Sequence, residues 1–100
     1  MVKTIPFDEA RYITSAEGQQ ALLDDAFASG HAPYIAHALG VVARARGMKE
    51  VAREAGVTRE ALYKSLSEDG DPRLTTLLGV ARALGVTLTA RIDSLEPRHD

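Results

Sequence analysis

Thr58, Arg59, Glu60, Tyr63 and Lys64 fall within the stretch TREALYK, and a helix opened by Thr58 would turn all five away from Leu62 and Leu66. A guanidinium in the first turn of such a helix can bond O6 and N7 of a guanine together, the commonest specific contact to a base edge. Thr58 and Tyr63 offer hydroxyls to phosphates or base edges, and Lys64 offers a point charge suited to a phosphate. Glu60 has three roles open to it: accepting from cytosine N4, orienting Arg59, or suiting the positive end of the helix dipole. A solvated helix surface carries the same residue types, so these five gain meaning only from the elements that would position them.

Those elements are legible around them. MKEVAREA reads as a short helix, Met48 to Ala55, with Val51, Ala52 and Ala55 on one face. Gly56 permits a positive backbone angle where the chain reverses, and Val57 fills the space between two crossing helices. Ala52 is small where the second helix must cross closely. Thr58 then caps a helix running to about Ser67, anchored by Leu62 and Leu66. Two short helices joined in this way match a helix-turn-helix, whose second helix enters the major groove. Lys49 and Arg53, four residues apart on the first helix, and Arg46 just before it are placed to meet phosphates, although exposed cations of this kind are commonly only solvated.

The rest of the chain supplies a frame. Thr14-Ser15-Ala16-Glu17 is a capping-box pattern with Thr14 as N-cap, predicting a helix to about Ser29 with Leu22, Leu23, Ala26 and Phe27 on one face. Gly30 stops it, and Pro33 suits the first turn of a second helix carrying Ile35, Ala38, Leu39 and Val42, with Arg44 and Arg46 in its last turn and Gly47 as its end. Gly40 lies inside that helix at a propensity cost of about 1 kcal/mol, which close helix packing would explain. A further helix is expected over Leu74 to Leu84, with Leu74, Leu77, Leu78, Ala81 and Leu84 on one face and Gly85 after it. Beyond Gly85 the apolar period becomes two: Val86, Leu88, Ala90 and Ile92 alternate with Thr87, Thr89, Arg91 and Asp93, which predicts a strand. A lone strand cannot satisfy its own backbone, so it requires the N-terminal arm around Val2 to Ile5 or the same strand of a second subunit.

The chain's length, 100 residues, suits one small domain, and its 45% apolar and 26% charged residues are ordinary globular proportions. There is no cysteine, which excludes disulfides and thiolate metal sites. No apolar run reaches a membrane span, and Asp8, Glu9 and Arg11 interrupt the N-terminus where a signal peptide needs an apolar core. The expected setting is cytoplasmic, with no membrane partner. Net charge is −2, but it is unevenly spread. Residues 1–30 hold Lys3 and Arg11 against five carboxylates, a balance of −3; residues 31–66 hold six cations against Glu50, Glu54 and Glu60, a balance of +3. The basic third is the one that contains the paired short helices.

GVTREALYKSL followed by DPRLTTLLGVARALGV resembles the helix-turn-helix domain of the phage repressor and Cro class over roughly residues 33–85. Ser65 departs from it, standing where that family has an apolar residue, and Leu66 is expected to take over the contact. Over nearly the whole chain, the arm PFDEARYI, the acidic helix, ALGVVARARGMKEVAREAGVTREALYKSLSEDGDP and the ending LGVTLT are similar to the addiction-module antidote family, HigA-like antitoxins of type II toxin–antitoxin pairs. The resemblance implies an all-α fold: a five-helix, lambda-repressor-like helix-turn-helix domain with an N-terminal extra helix and a short C-terminal β-strand. It divides the chain into an arm and acidic helix (1–30), a DNA-binding domain with the strand (31–93) and a flexible tail (94–100). It implies double-stranded operator DNA and a small basic RelE/ParE-like toxin as partners, repression of the chain's own operon, and a homodimer reading two half-sites. The dimer contact is expected at the C-terminal strand or, failing that, at the Leu74–Leu84 helix.

Phe7, Tyr12, Leu23 and Phe27 lie in the part that a minimal repressor domain does not need. They would pack on the core or form a surface for the toxin, whose basic character the carboxylates Asp8, Glu9, Asp24 and Asp25 would suit. His31, His37 and His99 have no metal-ligand spacing. No serine has the flanking glycines of a nucleophile elbow, and there is no phosphate-binding glycine loop. Neither an enzymatic activity nor a cofactor is expected. The rival functions are a stand-alone repressor without a toxin and a protein-interaction module on the same fold.

Overall fold

Five helices follow one another through residues 15–93, the part of the chain described by the computed structural model: α1 (Ala16–Ser29), α2 (Ala32–Arg46), α3 (Met48–Ala55), α4 (Arg59–Ser65) and α5 (Leu74–Leu84). The Ser15 side chain, not that of Thr14, caps α1, accepting from the Gly18 N–H at 3.0 Å. Ser15 takes the extended backbone that an N-cap needs, and Thr14 lies outside the described residues. So do the rest of the arm, with Phe7 and Tyr12, and the tail 94–100.

One core joins the helices. Leu39, Val42 and Ala43 from α2, Met48, Val51 and Ala52 from α3, Leu62 from α4 with Leu66 just beyond it, and Val80 and Leu84 from α5 are all buried together, and Leu23 and Ala26 bring α1 into the same cluster. Tyr34 fastens α2 to α1 by donating its hydroxyl to an Asp25 carboxylate oxygen at 2.6 Å. Gly40 explains itself here: a Cβ at this position would stand 2.6 Å from the Leu66 carbonyl oxygen, so only glycine lets α2 lie this close to the end of α4. Among the described residues no helix is long and apolar enough to cross a membrane.

Three expectations need correction. First, α5 faces the core through Leu77, Val80, Ala81 and Leu84, whereas Leu74 and Leu78 are 66% and 44% exposed. The true i, i+3, i+4, i+7 stripe includes Val80 and leaves Leu74 and Leu78 on its flank. Second, α4 stops at Ser65 rather than Ser67. Leu66 leaves helical geometry at φ −101°, and the Ser67 hydroxyl donates to the Lys64 carbonyl at 3.0 Å, closing the end with a side chain instead of another turn. Third, residues 86–93 form no strand, and no strand occurs among the described residues. Val86 donates its N–H to the Ala81 carbonyl at 2.8 Å, sealing the end of α5, and beyond it no described backbone group pairs with the segment. A strand without a neighbour has no ladder.

Candidate nucleic-acid interface

The arrangement of α3 and α4 rests on local signals. α3 ends at Gly56, whose φ of +76° is reached without penalty only by glycine, and the Gly56 and Val57 N–H groups close the helix on the Arg53 and Ala52 carbonyls at 3.3 and 3.0 Å. Thr58 then opens α4, its hydroxyl accepting the Ala61 N–H at 3.0 Å. Leu62 and Leu66 are buried beneath the helix, so it is held from below while its other side meets water.

That outer side is the predicted one. Arg59, Glu60, Tyr63 and Lys64 are all exposed, as is Thr58. Among the described residues Arg59, Lys64 and Lys49 enter no ion pair, leaving their charges available to an anionic partner. Two other predicted phosphate-contacting residues have partners inside the chain. Arg53 is paired with Glu50 one turn back on α3. Arg46 reaches across to the end of α5, donating to the Leu84 carbonyl at 3.3 Å, where a cation also meets the negative end of the helix dipole. The structure therefore brings Lys49, Arg53, Thr58, Arg59, Glu60, Tyr63 and Lys64 onto the α3–α4 unit, all of them exposed, while Arg46, also exposed, donates to the Leu84 carbonyl at the end of α5.

Sequence alone marks Arg44 only as a helix-end cation. Arg44 lines a cleft of about 360 Å³ together with Gly40, Met48, Tyr63 and Leu66. The Gly40–Leu66 contact sets α2 against the end of α4, and one helical turn beyond Gly40 comes Arg44, exposed and lining the same cleft as Tyr63, Glu68 and Asp69. A glycine at a close crossing followed four residues later by an arginine is the signal that would have found it. Glu68, from the loop after α4, lines the same cleft, its carboxylate 3.8 Å from Nδ1 of His37 on α2.

Of the residues that the sequence offers to a toxin, Leu23 is buried in the core and Phe27 is 36% exposed on the adjacent surface. Both line a second cavity, formed between α1 and residues 85–89.

Residues 3–92 match the family described as probable addiction module antidote protein. The chain belongs to that family, and an antidote implies a toxin as its partner. It is also 42% identical over 80 residues to an uncharacterized protein of Haemophilus influenzae, an alignment covering 80% of this chain and 82% of the relative. No solved structure matches the chain significantly.

Proposed function

We propose that this antidote binds operator DNA through α3 and α4, used as a helix-turn-helix, represses its own operon as a symmetric homodimer, and neutralises a small basic RelE/ParE-like toxin. The observation that carries the DNA half is α4 itself: a helix pinned by Leu62 and Leu66 that holds Arg59, Glu60, Tyr63 and Lys64 in solvent. In this reading Arg59, at the start of the helix, reads a base edge. Lys49 and Lys64 hold phosphates on either side, and Arg44 adds a further cation beside Tyr63. Family membership supports the toxin half. The exposed Leu74 and Leu78, one turn apart on α5, supply apolar area for a contact between two copies. Two copies would place their α4 helices in half-sites about 34 Å apart.

Fluorescence anisotropy tests the DNA half. The duplex upstream of the chain's own gene is compared with a scrambled duplex across a salt series. Arg59→Ala should cost about 1–3 kcal/mol on the cognate duplex and relax the preference for it. Lys49→Ala should weaken both duplexes alike and reduce the slope of log affinity against log salt by about 1. A preference untouched by Arg59→Ala would remove α4 from the reading head.

A further inference from the structure

The cavity between α1 and residues 85–89 is the larger of the two described above, at about 450 Å³, and it lies apart from the residues given to DNA. Phe27, Leu88 and the buried Leu23 supply apolar lining, and Asp24 is the charged residue among those that line it. Resting on the antidote reading, we propose that the toxin docks here, laying an extended basic segment alongside residues 86–92 and seating an apolar side chain between Leu23, Phe27 and Leu88.

Three observations select this occupant. The first is the backbone. Among the described residues no hydrogen bond engages the main chain of residues 87–93, so the segment presents donors and acceptors to an incoming strand. The second is the side-chain pattern. Val86 and Leu88 are half-buried while Thr87 and Thr89 face water, the period of two that a strand imposes, although no ladder is present. The pattern outruns its cover: Ile92, next but one after Ala90, is 72% exposed. The third is charge. α1 carries Glu17, Asp24 and Asp25 and no lysine or arginine; Asp24 lines the groove, Asp25 is turned to Tyr34, and on the adjoining segment Arg91 and Asp93, both exposed, offset each other. Neither alternative occupant answers that charge. The chain's own residues 1–14 balance Lys3 and Arg11 against Asp8 and Glu9, and a second copy brings a net −2. A basic protein does answer it.

The test uses the full chain and, as probe, the purified product of the reading frame adjacent to its gene, titrated by calorimetry. Leu88→Glu places a charge in the apolar seat, and Thr89→Pro removes a backbone donor from a segment outside every helix, so the second variant keeps its core even if the first does not. Each should weaken binding of the probe about tenfold or more, while affinity for the upstream duplex stays at the wild-type value. Asp24→Lys should weaken it less and flatten its salt dependence. If wild type and both variants bind the probe equally, the groove is not the dock and the antidote reading survives. If wild type itself fails to bind the probe, the toxin half of that reading falls with the proposal. If Thr89→Pro converts a free dimer into a monomer in sedimentation, the groove belongs to a second copy and the proposal is overturned.

Discussion

α4 has seven residues and α1 has fourteen, yet the shorter helix is the more firmly specified. A seven-residue helix has no stability of its own, so everything about α4 comes from Thr58 at its start and Leu62 and Leu66 beneath it. Apart from the Thr58 cap, the exposed polar side chains Arg59, Glu60, Tyr63 and Lys64 are not needed to hold it. α1 is long enough to form from local signals and docks through Leu23 and Ala26, with Leu22 and the Tyr34–Asp25 bond beside them, which leaves Phe27 partly bare and a groove next to it. The contrast separates two ways of making a binding surface: exposed polar groups on a rigidly anchored element, and apolar surface left uncovered at the seam between an element and a segment that lacks its partner.

The contrast can be broken most forcefully at Leu62. Leu62→Ala removes the anchor of α4 and should cost about 2–5 kcal/mol in urea unfolding, abolishing DNA binding with it. Gly40→Ala comes next. The added methyl would collide with the Leu66 carbonyl, and the forced shift should cost about 1–3 kcal/mol by the same measurement and displace the end of α4. Thr58→Ala loses the cap and should lower stability by about 1 kcal/mol, with a drop in α4 helicity. The smallest effect is expected from Arg46→Ala, about 0.5–1 kcal/mol in stability for the lost bond to Leu84, with the salt slope of DNA binding unchanged. An altered slope would return Arg46 to the phosphate contacts.

Much of the α3–α4 half was legible because its signals are local. Gly56, the Thr58 cap, the bounds Met48–Ala55 and Leu74–Leu84, and the buried Leu62 and Leu66 all follow from turn chemistry and a period of 3.6, and Ser65 does stand half-buried while Leu66 takes the core contact. What escaped depends on contacts between distant residues. Leu74 and Leu78 share a helical face with core residues by spacing, and only the position of α3 decides that the stripe passes through Val80 instead. Arg46 and Arg44 are both cations near the end of α2, and nothing local says that one reaches Leu84 while the other lies beside Tyr63. The period of two after Gly85 predicts a strand that the structure does not form; the alternation survives only as burial at Val86–Thr89, because a ladder depends on a partner that the pattern cannot supply.

The central claim is that DNA meets α3 and α4 while α1 and residues 85–89 stay clear of it. Amide chemical shifts of the isotopically labelled protein, followed as the upstream duplex is titrated in, test this residue by residue. The account predicts shifts concentrated between Met48 and Ser67, with Arg59 and Lys64 among the largest and Leu23, Phe27 and Leu88 unmoved. Shifts centred on α1 and residues 85–89, with α4 silent, would contradict it.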